Sequence, residues 1–384
     1  MYFCDSQSKR KYMISSVKIQ QFIAAFLFIT INVLFYFKYL YRVSLVTGLM
    51  AVGGYLLFLS VLLCLYRRTK LVFPDGVWYT LMALLTVGSG FVLHLIPKES
   101  LNVDRWEMIQ LFLDALSNGK YPYGVHSATG NYPGPMPFYF VLAYPFYKIG
   151  EIGWMTVLGI WITFIYFRKR LDSNTFGLLM LLVLSSLSIY WEIFARSTVF
   201  INTLLFAIYF FGLRNLSDRS GWRFYGWAVL GGFLFSTRNV FVLPLIIWGV
   251  YVFLRKDIAF MRLLKWVSCF MIAFVLTFLP LYCMDPHTFM RLNPFVTQGD
   301  VLLPFSYVIC FIGLAFIFPF FCKKYLDVIF YSGLLLFMTI TGHVIYALLD
   351  GGIDAYLTAG VDISYYLFCF PFLLKTIVNG NEND

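Results

Sequence analysis

The chain alternates long apolar runs with short polar or basic segments, and this pattern predicts a helical protein that crosses a membrane many times. An α-helix needs about 20 mostly apolar residues to cross the hydrocarbon core of a bilayer. Runs that approach this length predict an all-α, polytopic bundle of about twelve spans, although several in the middle of the chain are short. The expected spans cover residues 18–37, 44–66, 76–96, 151–167, 174–191, 198–213, 223–237, 240–254, 265–283, 302–322, 325–349 and 355–374.

One long segment, residues 97–134, interrupts this pattern with charge, glycine, proline and tyrosine. Its stretch "DRWEMIQLFLDALSNG" begins at Asp104, and a Glu three residues later is typical of a capping box at a helix N-terminus. Apolar residues then recur at helical spacing until Asn118-Gly119, a sequence typical of a helix end. The pattern predicts an amphipathic helix of about 14 residues that lies on the surface of the outer leaflet.

The residues that follow this helix, "KYPYG" and "NYPGPMPF", predict a stiff aromatic loop. Proline restricts the backbone at its own position and at the preceding one, and tyrosine is common at membrane–water interfaces. We expect Tyr121, Tyr123, Tyr132 and Pro133 to shape a cleft at the level of the lipid headgroups.

Composition strengthens the membrane assignment. Hydrophobic residues make up 60% of the 384 positions and charged residues only 12%, about half the usual charged fraction of soluble domains. The net charge of +10 does not indicate nucleic-acid binding, because the Lys and Arg residues sit in small clusters between apolar runs. The seven cysteines include no C-x-x-C spacing, so they predict neither a disulfide framework nor a metal site.

The basic clusters also predict the orientation in a plasma (inner) membrane. With both termini in the cytoplasm, most of the 29 Lys and Arg residues fall on the cytoplasmic side, and segment 97–134 is external. A span at residues 135–150 would move Arg168–Arg170 outside and invert every later loop. We therefore interpret residues 135–150 as an interfacial or re-entrant helix.

The external segment resembles a known family. The order of Asp104, Leu116, Gly119, "PY" at 122–123 and "YPGP" at 132–135 is similar to the first external loop of GT-C glycosyltransferases, in their mannosyltransferase-like branch. Gly134 stands where that branch has the second proline of "YPP", and the loop follows the third expected span, whereas the family usually has it after the first. The similarity covers about 45 residues, with the remainder alike only in topology. It implies an added N-terminal pair of spans at 1–66 and a GT-C-like module at 67–378. The polar sequence "NGNEND" separately predicts a solvated tail at 379–384.

The resemblance implies an inverting glycosyltransferase on the non-cytoplasmic face. Such an enzyme moves a sugar, mannose-like as a first expectation, from a polyprenyl-phosphate donor to a glycan or lipid acceptor. It implies that Asp104, with Glu107 as a second candidate, accepts a hydrogen bond or proton from the acceptor hydroxyl. A lipid phosphate that leaves requires cations, and the expected ligands are Arg238, Arg196, Arg291 and His287. The resemblance implies no fixed cofactor; some members use a divalent ion, although the chain has no D-x-D motif.

Structural explanations remain open for each of these residues. Asp104 and Glu107 are also explained as helix caps. Arg196 and Arg238 at span ends are also explained by snorkelling or by binding to membrane lipids. His287 near Asp285 has no third partner in sequence that would indicate a metal.

Two other classes of protein also fit a polytopic chain. A transporter or flippase of lipid-linked sugars would need charges at the bilayer midplane, broken helices and internal repeats. A polysaccharide polymerase would need an arginine-rich external loop, whereas the largest external segment here carries more carboxylates.

Overall fold

The computed structural model describes residues 2–69, 72–101, 103–301, 304–357 and 361–378, so the expected tail at 379–384 lies outside the described part of the chain. Within those residues every regular element is a helix. The α-helices are α1 (Tyr2–Tyr41), α2 (Leu45–Thr69), α3 (Asp75–Leu95), α4 (Arg105–Ser117), α5 (Pro137–Ile149), α6 (Trp154–Arg168), α7 (Ser173–Leu184), α8 (Leu187–Phe194), α9 (Val199–Gly212), α10 (Gly221–Phe235), α11 (Val242–Arg255), α12 (Phe260–Leu276), α13 (Leu279–Met284), α14 (Pro286–Arg291), α15 (Pro294–Val301), α16 (Phe305–Ile317), α17 (Tyr325–Leu357) and α18 (Phe370–Val378). Short 3-10 helices cover Lys98–Ser100, Pro122–Gly124, Leu213–Asn215, Asn239–Phe241, Phe318–Phe321 and Ile363–Phe368.

Four helices in the described residues are long and apolar enough to cross a membrane: Val17–Tyr41, Leu45–Tyr66, Asp75–Leu95 and Tyr325–Asp354. The number rises to six if each of two bent helix pairs forms one span. The pairs are α5 with α6, bent by 114°, and α7 with α8, bent by 53°. The prediction of a helical membrane protein is confirmed at this level, and the larger number of twelve spans stays a prediction.

Helix breaks explain the difference between apolar runs and continuous helices. The run at 265–283 is divided between α12 and α13, and Pro280 lies in the first turn of α13. Proline has no N–H to donate and disfavours helical geometry at the residue before it, so the preceding helix ends. The expected span at 355–374 is not one helix, because α17 ends at Leu357 and the Asp362 side chain caps a separate 3-10 helix.

The segment at 135–150, where a helix was predicted, contains the helix α5 (Pro137–Ile149). Met136 precedes α5, and Gly150 ends it in the left-handed region with φ of 88°. Only a residue without a Cβ adopts this conformation at low cost, so Gly150 favours the sharp turn toward α6. The choice between an interfacial and a re-entrant position stays a prediction.

The described residues divide into two compact units, each with its own packing. The first unit comprises residues within 1–78, 164–189 and 323–384. In it, α1 packs against α2, α17 and α18, and the ring of Phe28 lies 4.9 Å from that of Phe370. Gln20 donates a hydrogen bond of 2.8 Å to Asp327, which also caps the start of α17 through two backbone N–H groups.

The second unit comprises residues within 79–163 and 190–322, and it contains the whole polar segment 97–134. Helix α10 packs closely on α12, α4 packs on α5, and α11 packs on α16. These units are defined by contacts within the fold, whereas the division at residue 66 came from the family resemblance. That division stays a prediction.

Candidate functional site

Helix α4 forms where the sequence predicted an amphipathic helix. Its first hydrogen bond runs from Met108 N to Asp104 O at 2.8 Å. At the other end Gly119 has φ of 67°, and Lys120 N donates to Ala115 O at 2.9 Å, which satisfies one of the last carbonyl groups. The helix is therefore fixed at both ends by its own sequence.

The apolar face of α4 packs on protein, and the expected position of this helix on the outer leaflet stays a prediction. The ring of Phe112 stacks on Phe140 of α5 with centroids 3.5 Å apart, and the ring of Tyr123 meets Phe112 edge-on at 5.1 Å. Ile109 and Leu113 are buried in the same cluster. Aromatic burial of this size holds α4 against α5.

The carboxylate of Asp104 does not cap its helix, so the expected capping box is not formed. Its Oδ2 instead accepts hydrogen bonds from Asn131 Nδ2 at 2.6 Å, Thr129 Oγ1 at 3.0 Å and Ser127 Oγ at 3.5 Å. All three donors lie in one turn, which we call the 127–131 turn. Its Gly130 has φ of 82°, and Ser127 N donates to Asn131 O at 3.0 Å.

Glu107, three residues after Asp104, also binds the 127–131 turn. Its Oε1 accepts a hydrogen bond of 3.1 Å from the backbone N–H of Ala128. The two carboxylates that the sequence singled out therefore lie together, and both bind the 127–131 turn. Carboxylates only accept hydrogen bonds when ionised, so the hydroxyl, amide and N–H donors of this turn suit them chemically.

Arg238 lies beside the aromatic loop. The residues before it pair with the start of α5, through Met136 N to Thr237 O at 3.3 Å and Phe138 N to Ser236 O at 2.9 Å. This pairing places the Arg238 guanidinium 5.2 Å from the ring centroid of Tyr139. A guanidinium over an aromatic face is a favourable arrangement.

Tyr123 is anchored within the aromatic loop. Its hydroxyl donates to Pro135 O at 2.8 Å, and its side chain is almost fully buried. Burial raises the pKa of Tyr123, and the positive charge of Arg238 opposes part of that increase. The phenol therefore stays protonated and acts as a fixed hydrogen-bond donor. Of the other expected loop residues, Tyr132 is 42% exposed and Pro133 is buried.

The guanidinium of Arg196, an expected phosphate ligand, is buried and makes its hydrogen bonds within the protein. It is 1% exposed, and its Nη2 donates to Ile96 O at 2.6 Å and to Leu93 O at 3.0 Å. Its Nε lies 3.3 Å from the carboxylate of Glu151. A guanidinium whose donors are given to carbonyl oxygens and a carboxylate stabilises the chain around it.

His287 and Arg291 lie on the short helix α14, and both are exposed. The Tyr121 hydroxyl donates to Leu292 O at 2.6 Å, which brings the end of α14 to the aromatic loop. Asp285 caps this helix through Thr288, and those hydrogen bonds lower the pKa of Asp285. No group of three or more His, Cys, Asp or Glu side chains suited to a metal occurs among the described residues, and a divalent ion stays an open prediction.

Further contacts connect the region of Asp104 with that of Arg238. Arg105, next to Asp104, donates a short hydrogen bond to Ser197 Oγ. The neighbouring Thr198 donates to the hydroxyl of Tyr139 at 2.5 Å, and Tyr139 lies under Arg238. A continuous series of contacts thus runs from Asp104 to Arg238.

Sequence reasoning missed several of these polar residues. The donors of the 127–131 turn had a signal, because "SATGN" places two hydroxyls and an amide at alternate positions, separated by alanine and glycine. Glu192, a carboxylate within the apolar stretch "SLSIYWEIFA", was a second signal of a buried polar contact. Ser197 and Thr198 carry no comparable signal, because hydroxyls are common at helix starts.

Comparisons with known proteins add no relative, since no family model, curated protein or solved structure matches this chain.

Proposed function

We propose that the protein is a polytopic, inverting glycosyltransferase of the GT-C kind, with about twelve spans and a site on the non-cytoplasmic face. It transfers one sugar from a polyprenyl-phosphate donor to a glycan or lipid acceptor. The observation that carries the proposal is the setting of Asp104. Its Oδ2 is held by the 127–131 turn, whereas Oδ1 accepts no hydrogen bond from the residues that the structure describes.

A carboxylate fixed through one oxygen presents the other to an incoming hydroxyl in a constant orientation. The acceptor oxygen attacks the anomeric carbon, the bond from that carbon to the phosphate oxygen breaks, and the hydroxyl proton passes to Asp104. The configuration inverts because attack and departure occur on opposite sides. Orientation of this type contributes a large part of many rate enhancements.

Arg238 supplies positive charge for the departing lipid phosphate. The Tyr139 ring orients its guanidinium, and the backbone hydrogen bonds from Met136 and Phe138 to Thr237 and Ser236 fix the chain just before it. Little reorganisation is therefore needed when charge develops on the phosphate. Arg291 and His287 on α14 are the second candidates, since both are exposed near the aromatic loop. Arg196 is omitted from the proposal because its guanidinium is buried.

The test is a transfer assay with isolated membranes and a panel of polyprenyl-phospho-sugars. Asp104→Asn should lower turnover by about 10² to 10⁴-fold, the usual contribution of general acid–base catalysis, with donor binding nearly unchanged. Glu99→Gln, an exposed carboxylate in the same external segment, is the matched control and should behave as wild type. Normal turnover by Asp104→Asn would remove the catalytic role.

A second arm addresses the phosphate. Arg238→Ala should weaken donor binding by about 1.5–3 kcal/mol, the contribution of a hydrogen bond to a charged group, and Arg238→Lys should recover part of the loss. Unchanged donor affinity in Arg238→Ala would exclude this residue from the site.

One observation favours a second candidate, a transporter of lipid-linked sugars. Helices α7 and α8 form a broken pair bent by 53°, and the buried Ser188 donates to Asn32 at 3.4 Å in the same unit. Broken helices with polar interiors are common in transporters. Movement of labelled donor across sealed vesicles without cleavage of its sugar–phosphate bond would favour this candidate over the transferase.

A further inference from the structure

An ion pair with one fully buried partner, Glu192, lies next to Asp104. Glu192 is fully buried, and its Oε1 lies 3.5 Å from Nη1 of Arg105, whose side chain is 15% exposed. A buried carboxylate is costly unless it is paired and hydrogen-bonded. Its presence in an otherwise apolar stretch therefore calls for an explanation in terms of what it holds.

Glu192 binds two different helix starts. One carboxylate oxygen faces Arg105 in the first turn of α4, and the other accepts the backbone N–H of Phe200, in the first turn of α9, at 2.9 Å. Arg105 also donates to Ser197 Oγ. The first N–H groups of a helix have no acceptor within the helix and suit a carboxylate, so Glu192 joins the start of α4 to the start of α9.

The start of α4 is thereby held from two sides. Asp104 accepts hydrogen bonds from the 127–131 turn, and the adjacent Arg105 contacts Glu192 and Ser197. The backbone carbonyl of Asp104 begins the helix through Met108 N, so any displacement of Arg105 also moves the Asp104 carboxylate.

We infer that Arg105, Glu192 and Ser197 are positioning residues that fix the Asp104 carboxylate for the transfer reaction. This inference rests on the proposed function for its kinetic consequence, although its structural part is measured without substrate. Arg105 acts through the neighbouring carboxylate, and none of the three residues takes part in bond formation.

The test uses the full chain in lipid nanodiscs, with hydrogen–deuterium exchange and kinetics on the same samples. Glu192→Gln keeps an oxygen for Phe200 N but loses the charge, and we expect exchange at residues 104–108 and in the 127–131 turn to accelerate about tenfold. Exchange in α11 should stay unchanged, which distinguishes a local effect from general unfolding. Arg105→Gln should give the same pattern.

The matched control is Arg255→Gln, because Arg255 and Asp257 are also 3.5 Å apart but are 47% and 41% exposed. Exposed pairs contribute little, so this variant should match wild type in both measurements. In the transfer assay, kcat of Glu192→Gln should fall about 100-fold with the donor KM unchanged, the expected result of misplacing a reacting group. Arg105→Lys should restore part of the kcat lost in Arg105→Gln.

Two results would overturn the inference: unchanged exchange at 104–108 in both Glu192→Gln and Arg105→Gln, or faster exchange there with a normal kcat. Failure of the proposed function is seen separately, as wild-type turnover by Asp104→Asn. In that event the exchange measurement still decides whether the ion pair holds the start of α4.

Discussion

The close approach of α10 and α12 makes Gly232 a sensitive position. A Cβ at residue 232 would lie 2.3 Å from Phe270 O and 2.9 Å from both Ala273 Cβ and Phe274 N. Two of these obstacles are backbone atoms of α12, so the clash is relieved only if the two helices separate. Small residues at such crossings let helix backbones approach in a membrane.

The magnitude follows from two opposed effects. Overpacking of a close contact costs about 1–3 kcal/mol, whereas replacing glycine by alanine inside a helix gains up to about 1 kcal/mol. Because the 2.3 Å contact is with a backbone atom, the cost lies at the upper end, about 2–3 kcal/mol, and Gly232→Ala should lower the free energy of unfolding by about 1–2 kcal/mol. Gly226 lies on the same helix with nothing within 4 Å of an added Cβ, so Gly226→Ala should be neutral or stabilising.

The assay is equilibrium unfolding of the purified protein in mixed micelles, with heating followed by size-exclusion chromatography as an independent check. The packing also affects the site. Ser236, which follows α10 and lies two residues before Arg238, forms a hydrogen bond of 2.6 Å between its Oγ and Oγ1 of Thr277, which follows α12. Gly232→Ala should thus weaken donor binding as well. Equal stability of Gly232→Ala and Gly226→Ala would refute the argument that backbone contact limits this position.

Other expected outcomes concern the aromatic loop. Phe112→Ala should lower the free energy of unfolding by about 3–5 kcal/mol by removing a buried stacked ring, whereas Leu116→Ala, at a 40% exposed site, should cost far less; similar losses would contradict the packing of α4 on α5. Tyr121→Phe removes the hydrogen bond to Leu292 O and should cost about 1 kcal/mol, measured by the same unfolding assay. Burial, with a smaller effect of the Asp285 charge, raises the pKa of Tyr121. The stabilisation from the Tyr121 phenol is therefore complete below the unfolded pKa of about 10. It falls as the pH rises from there toward the raised folded pKa, and Tyr121→Phe should lack that loss of stability at alkaline pH.

Local chemistry made part of the site predictable. The start of α4 after Asp104, its end just before Asn118-Gly119 and the separate helix at 137–149 follow from short-range signals: helical spacing of apolar residues, a glycine at positive φ, and proline. These signals act over a few residues, so they are visible in the sequence. The association of Asp104 and Glu107 was also predictable, since residues three apart on a helix share a face.

Long-range partners were not predictable in the same way. The sequence pattern gives Asp104 and Glu107 a mutual capping role, but the 127–131 turn supplies their donors from more than 20 residues away. Arg196 looked like a cation at the external end of a span, and tertiary folding buried it against the carbonyls of Leu93 and Ile96. A charged side chain can be solvated by carbonyl groups as well as by a ligand, and sequence does not distinguish the two.

The sequence by itself determined the membrane setting, the helical class and the bounds of the amphipathic helix, because hydropathy and backbone preference are local properties. Only the tertiary structure decided which apolar runs are continuous helices, which arginine is buried, and that Glu192 pairs with Arg105 next to Asp104. These outcomes depend on contacts between distant parts of the chain, and the free energy of a buried charge is set by the groups that surround it after folding.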